Sequence, residues 1–150
     1  MWGFFMHIYM YMKSVGIVII ARDTNKMLLL HRAEDPIVWS SLTGTMEDDE
    51  TPMETIKREI EEEIGVNPNK IKNIKELGVT KNNHHVMIGF VDTEFVVPDL
   101  QIEENDDYGW FDQDNLPSPI HKRWPETFQL IKPYLNLREE IKKGLKKLLR

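Results

Sequence analysis

The sequence predicts an α/β fold in which strands flank one well-marked helix, and three observations predict it. Val15 to Ala21 is a β-branched run with the composition of a buried strand, followed by turn residues and a partner run of the right length. Two further strand-like runs, Ile74 to Thr80 and His85 to Phe95, come later in the chain. Between these pairs lies a helix with both ends written in the sequence: Thr51 as cap, Pro52 in the first turn, Glu54 closing a capping box, and Gly65 as the left-handed stop.

The bulk numbers suit one domain. The chain has 150 residues, 41% hydrophobic and 29% charged, enough for a sizeable core. A net charge of −6 argues against indiscriminate binding to nucleic acid or lipid, since phosphate surfaces attract basic faces. With no cysteine, disulfides, thiolate nucleophiles and Cys-based zinc sites are excluded, which fits a reducing cytoplasm.

Residues 1–12, MWGFFMHIYMYM, hold four of the eight methionines and no acid or base other than His7. They lack the positive region and cleavage site of a secretory signal, and Lys13-Ser14 cuts the run short of a membrane span. They are expected to form a weakly ordered extension, arising from a start codon upstream of Met10 or Met12, with residues 13–150 as the domain. An extra edge strand or a membrane- or partner-facing patch is the competing reading. Val15 to Ala21 then forms the first strand, Asp23-Thr24-Asn25 turns, and Lys26 to His31 returns as its hairpin partner. Arg32, at the end of that hairpin, is a candidate contact for phosphate, weighed evenly against an ordinary surface arginine. Trp39, Tyr108 and Trp110 offer faces on which a base would stack, although buried tryptophans are more often core. Ser41 to Thr43 is expected as a short strand delivering the chain to Gly44.

Lys81-Asn82-Asn83 supplies a turn between the next two strands. His84-His85 invites a metal reading, but neighbours on a strand point to opposite faces, so the pair reads as turn-proximal and solvent-facing. Tyr108 to Phe111 is a strand behind the acidic loop Glu103-Glu104. Trp124 to Ile131 reads as a helix ended by Pro133. Leu137 to Leu149 reads as a second amphipathic helix, with Leu137, Ile141, Leu145 and Leu148 on one face and a net +4 through Arg150. That charge admits a contact with nucleic acid or membrane, but a solvated helix end is the simpler reading.

The stretch Gly44 to Val66, GTMEDDETPMETIKREIEEEIGV, carries the chemistry. At helical spacing Met53, Ile56, Ile60 and Ile64 share the face that packs. Glu59, Glu62 and Glu63 share another arc, so their carboxylates converge. From Glu47 to Glu63 nine acids stand against Lys57 and Arg58, a net −7. Convergence of that kind is costly without a counter-ion, and a hard divalent cation with oxygen ligands is the usual remedy. A solvated acidic face accounts for Glu54 and Glu61 but not for the Arg-Glu and Glu-Glu pairs behind a glycine loop.

This stretch resembles the Nudix box, G-x5-E-x7-R-E-U-x-E-E-x-G-U with U aliphatic, and every fixed position matches. Many members carry Pro-Gly-Gly at Leu42-Thr43-Gly44 and glycine at Asp49, and these departures bear on loop geometry. The resemblance implies an α/β/α sandwich with a mixed sheet and a loop-helix-loop catalytic motif. It implies hydrolysis of a nucleoside diphosphate linked to another group, with Mg2+ as cofactor and Mn2+ as a substitute. Glu59, Glu62 and Glu63 match the metal-binding and catalytic glutamates. The Thr43 carbonyl matches a further metal contact. Arg58 pairs with Glu50 or Glu47 and orients Glu59. Glu104, with Glu103 second, is the candidate for completing the metal site or acting as base, and the base stays open between Glu59 and Glu104.

The expected partner is a small-molecule nucleotide, with no specific nucleic acid and no membrane, in a monomer or a homodimer. The lead substrates, by resemblance to small bacteriophage and bacterial members, are ADP-ribose, dinucleoside polyphosphates or FAD, releasing AMP. The rival is a sanitising pyrophosphohydrolase acting on oxidised nucleoside triphosphates. A non-catalytic nucleotide-binding module is the third reading, against which the intact glutamates speak.

Overall fold

The computed structural model describes residues 13–149. The expectations for residues 1–12 fall outside that range, as do those for Arg150 and for the side chains of Leu137, Arg138, Glu139 and Glu140.

Among the described residues, seven strands form one mixed sheet: β1 (Ser14–Ala21), β2 (Lys26–Arg32), β3 (Trp39–Ser40), β4 (Leu42–Thr45), β5 (Lys72–Thr80), β6 (His84–Val91) and β7 (Asn105–Phe111). Strand β1 is its centre. It runs parallel to β6 along its whole length, while its other edge is shared by β4 at the start and β2 at the end, both antiparallel. A strand paired on both edges and covered on both faces must be apolar throughout, which is why Val15 to Ala21 shows no polar alternation.

Its side chains divide by parity between two cores. Val15, Ile17, Ile19 and Ala21 join Leu28 and Leu30 under helix α1 (Pro52–Ile64). Val18 and Ile20 join Met27, Leu29, Val86 and Ile88 under helix α2 (Trp124–Ile131). Helices thus cover both faces of the sheet, the expected α/β/α arrangement.

Helix α1 follows its sequence closely. The Thr51–Glu54 capping box forms in both directions, and Gly65 closes the helix at φ 67°. Ile56, Ile60 and Ile64 are wholly buried, each burial contributing about 1.5–3 kcal/mol. Asp49 adopts φ 69°, so the position where many relatives carry glycine still makes the left-handed turn, which a short acidic side chain tolerates.

Several expectations are corrected. Strand β6 ends at Val91 rather than Phe95, because the turn after β1 takes the backbone bonds there: Arg22 N–H donates to Val91 O and Asp23 N–H to Asp92 O. Gly44 lies within β4 rather than after a strand at Ser41 to Thr43. His84 is buried instead of solvent-facing, because the tight turn at Lys81–Asn83 points it inward beneath Gly16. His85 takes the other face and pairs with Glu76. Helix α3 (Leu137–Leu148) is present, yet Ile141, Leu145 and Leu148 on its apolar face are 54–83% exposed. No helix among the described residues is long and apolar enough to cross a membrane.

Candidate active site

Helix α1 presents its acidic arc to a cleft of about 1010 Å3 bounded by β4, the end of β2, the loop before β7 and the segment before α2. Glu59 and Glu63 project from the helix. Glu104 arrives from the loop, which hangs on both neighbours: Gln101 N–H donates to Glu63 O at 3.0 Å, and Ala33 N–H donates to Glu104 O at 2.9 Å. One carboxylate oxygen from each of the three lies within 4.8 Å of the others.

Such a group is uncomfortable without a cation. Burial, and then the neighbouring Glu104 and Glu59 carboxyls, push the Glu63 carboxyl up to about 10. Glu59 is raised by burial as well. Glu63 Oε2 is buried without a hydrogen-bond partner. A buried carboxylate oxygen without a partner, on a residue of an oxygen-only donor set, fits a hard divalent cation such as magnesium. The residues that would hold it are Glu59, Glu63 and Glu104, with Thr43 and Glu62 at the same cleft.

The glycine of the loop has a steric reason. A Cβ built on Gly44 would lie 2.2 Å from Glu59 Cγ, so only glycine lets β4 run this close to the helix carboxylate. Arg58 fixes the arc from outside. It donates Nε and Nη2 to Glu50 at 2.8 Å each, Nη1 to Glu59 at 2.9 Å and to Glu62 at 3.1 Å, and Nη2 to Thr45 O at 3.2 Å. Glu47 stands farther off, at 3.7 Å. The bidentate guanidinium holds the Glu50 carboxyl down to about 2. Arg58 therefore pairs chiefly with Glu50, and its contact with Glu59 orients that carboxylate.

The sequence-predicted residues do not all converge. Glu62 remains on the rim, bonded to Arg58 and outside the close trio. Glu103 is exposed and apart from it. Arg32 lines the cleft, with its Nε donating to Pro36 O at 3.1 Å. Trp39 is a correction: it packs in the second core, its ring 5.0 Å from His31 and 5.1 Å from Phe111, and lies outside the cleft lining. Strand β3 thus sets it against the second core, away from the residues that line the cleft. Tyr108 and Trp110 pack against the first core, the phenol accepting from Val97 N–H and the indole donating to Phe95 O.

Sequence reasoning missed the opposite wall, where Lys13, Ser14, Lys122 and Arg123 join Arg32 and His121. No periodicity marks them, because they come from three separate stretches of chain.

A model of the NUDIX domain matches residues 10–132. The dihydroneopterin triphosphate diphosphatase of Haemophilus influenzae is 49% identical over 62 residues, 41% of this chain and 39% of that protein. The NAD-capped RNA hydrolase NudC of Pseudomonas aeruginosa is 30% identical over 135 residues, 87% of this chain and 46% of that protein. The chain thus spans less than half the length of either relative. Among solved structures, the dihydroneopterin triphosphate pyrophosphohydrolase of E. coli aligns with a TM-score of 0.61 at 22% identity, over 79% of this chain and 92% of that one. The MutT NUDIX hydrolase of Burkholderia pseudomallei aligns at 0.63 and 23%, over 80% and 97%. At such identities the likeness is one of fold.

Proposed function

The chain belongs to the NUDIX family, and from that premise we propose that it hydrolyses the pyrophosphate bond of a nucleoside diphosphate linked to another group, with Mg2+ or Mn2+ as cofactor. The observation that carries this reading is the convergence of Glu59, Glu63 and Glu104, with one Glu63 oxygen buried and unpartnered, beside an arginine already committed to Glu50.

The cation, when bound, would neutralise phosphate charge and make a bound water more acidic. The protein's own residues do the rest. Glu59, Glu63 and Glu104, with the Thr43 carbonyl and Glu62 nearby, would hold the ion. Arg58 keeps Glu59 turned into the cleft, and Gly44 leaves it room. In the reaction a water oxygen bonds to phosphorus as the bridging P–O bond breaks. The water's proton passes to a carboxylate or to solvent, and the leaving phosphate takes the bond's electron pair.

Two substrate readings stand within this class. One is ADP-ribose, a dinucleoside polyphosphate or FAD, yielding AMP. The other is a nucleoside triphosphate, yielding a monophosphate and pyrophosphate, and the basic residues Arg32, Lys122 and Arg123 lining the same cleft favour it. The absence of cysteine fits work in a reducing cytoplasm. The test is a panel of nucleotides assayed with and without magnesium. AMP from the first group supports the first reading, and pyrophosphate from triphosphates supports the second. Metal-dependent hydrolysis of none of them would make the fold a binding module and sink the proposal.

A further inference from the structure

The basic wall contains a buried device. His84, at the start of β6, is 2% exposed, and burial holds its ring down to about 3, so it is neutral. Its Nδ1 lies 2.7 Å from Ser14 Oγ and 3.3 Å from an Arg123 Nη1. The far edge of the ring fills the space over Gly16, where an added Cβ would meet Nε2 at 3.0 Å, so the ring is braced from behind. A neutral Nδ1 accepts from a guanidinium N–H, whereas a protonated one would repel it. Arg123 is thus held by an acceptor that brings no charge.

Arg123 is half-buried, and neither it nor Arg32 has a carboxylate partner among the described residues. Burial, and then the Arg32 charge, pull the Arg123 guanidinium below its usual value, so the two cations feel one another in the same cleft. Arg58 shows the contrast: the acids of its own helix and loop satisfy it. Two guanidiniums in one cleft, neither in an ion pair among the described residues, are an arrangement that a bound anion stabilises.

We propose that Arg123, positioned by His84 and Ser14, binds with Arg32 a substrate phosphate lying beyond the scissile linkage, so that the cleft takes a nucleoside polyphosphate ending in a free phosphate. This rests on the pyrophosphohydrolase reading and narrows its substrate class. A terminal phosphate carries close to two negative charges at neutral pH, which matches a pair of guanidiniums. A diphosphate diester has no third phosphate to set against them.

The test uses the full chain and inorganic tripolyphosphate, titrated calorimetrically in the presence of Mg2+, beside steady-state kinetics on a nucleoside triphosphate. Arg123→Gln is expected to weaken tripolyphosphate binding about tenfold or more, as loss of a charged hydrogen-bond donor does, with Mg2+ affinity as in the wild type. KM for the triphosphate should rise by a similar factor while kcat falls much less, and Arg123→Lys should recover part of the loss. His84→Asn, which keeps an acceptor, should bind better than His84→Leu. Wild-type tripolyphosphate affinity and KM in Arg123→Gln would overturn the subsite while leaving the hydrolase reading in place. Tripolyphosphate bound through Arg123 by a protein that hydrolyses no nucleotide would support the subsite and overturn the hydrolase reading instead.

Discussion

The two walls of the cleft are built on opposite plans. The acidic wall comes mainly from one continuous stretch, Gly44 to Val66, whose helix sets the spacing of Glu59, Glu62 and Glu63. The basic wall is assembled from the start of β1, the end of β2 and the segment before α2. The acids are crowded and held by a local arginine, while Arg32 and Arg123 are sparse and make no ion pair among the described residues. Chemistry that needs several like charges at fixed separation is suited to a rigid helix. Recognition that needs one or two charges at a distance from them is met by the sheet bringing remote residues together.

This contrast is tested most strongly at the acidic wall. Glu63→Gln and Glu59→Gln should each lower kcat by orders of magnitude. For Glu63→Gln the metal-free melting temperature should hold, because burial already keeps that carboxyl protonated and Gln preserves its neutral shape. Mg2+ is expected to raise the Tm of the wild type, and that rise should vanish in this variant, as read by thermal denaturation with and without the ion. Retained turnover in either variant would refute the acidic wall's role. Glu104→Gln, on the loop, should weaken metal binding and regain part of its rate in Mn2+.

Gly44→Ala probes how closely that wall is fitted. The added methyl meets Glu59 at 2.2 Å, so the carboxylate must swing out, and a loss of about 100-fold in kcat is expected from the displacement. Kinetics at saturating Mg2+ measure it, and a wild-type rate would show that Glu59 has other room.

The basic wall should respond to acid. His84 titrates at about 3 in the folded protein against an ordinary value of 6.5. The unfolded chain therefore takes up a proton where the native one does not. The stability this gives is whole above pH 6.5 and drains away as pH falls toward 3. His84→Asn should flatten the dependence of unfolding free energy on pH across that window, by on the order of a few kcal/mol at its acid end. An unchanged slope would mean that the ring is not held neutral.

The smallest effect is expected from the amino terminus. We propose that residues 1–12 are an extension to the fold, and the described walls begin at Lys13. Deleting residues 1–11 should leave kcat and Tm close to wild type, and a drop of many degrees would make the segment an element of the fold.

What was legible follows from how local each feature is. The capping box, the glycine stop and the Ile56, Ile60, Ile64 stripe depend on spacings of three and four residues, and all are in the structure. The same kind of pattern in α3 gave a helix whose apolar residues stay exposed, because periodicity specifies a face but not a surface to cover it. Trp39 read as a possible stacking platform, since its type is shared by core and binding sites, and only the packing against His31 and Phe111 separates them.

The sequence by itself determined the helix, the strands flanking it in outline, and the residue types and spacing of the acidic arc, because these are set by backbone periodicity and capping chemistry. Only the tertiary structure decided that Glu104 joins Glu59 and Glu63 while Glu62 stays on the rim, and that His84 turns inward to hold Arg123. Those contacts join residues tens of positions apart. They exist because β1 pairs with β4 and β6 at one end of the sheet, a register that no short stretch of the chain encodes.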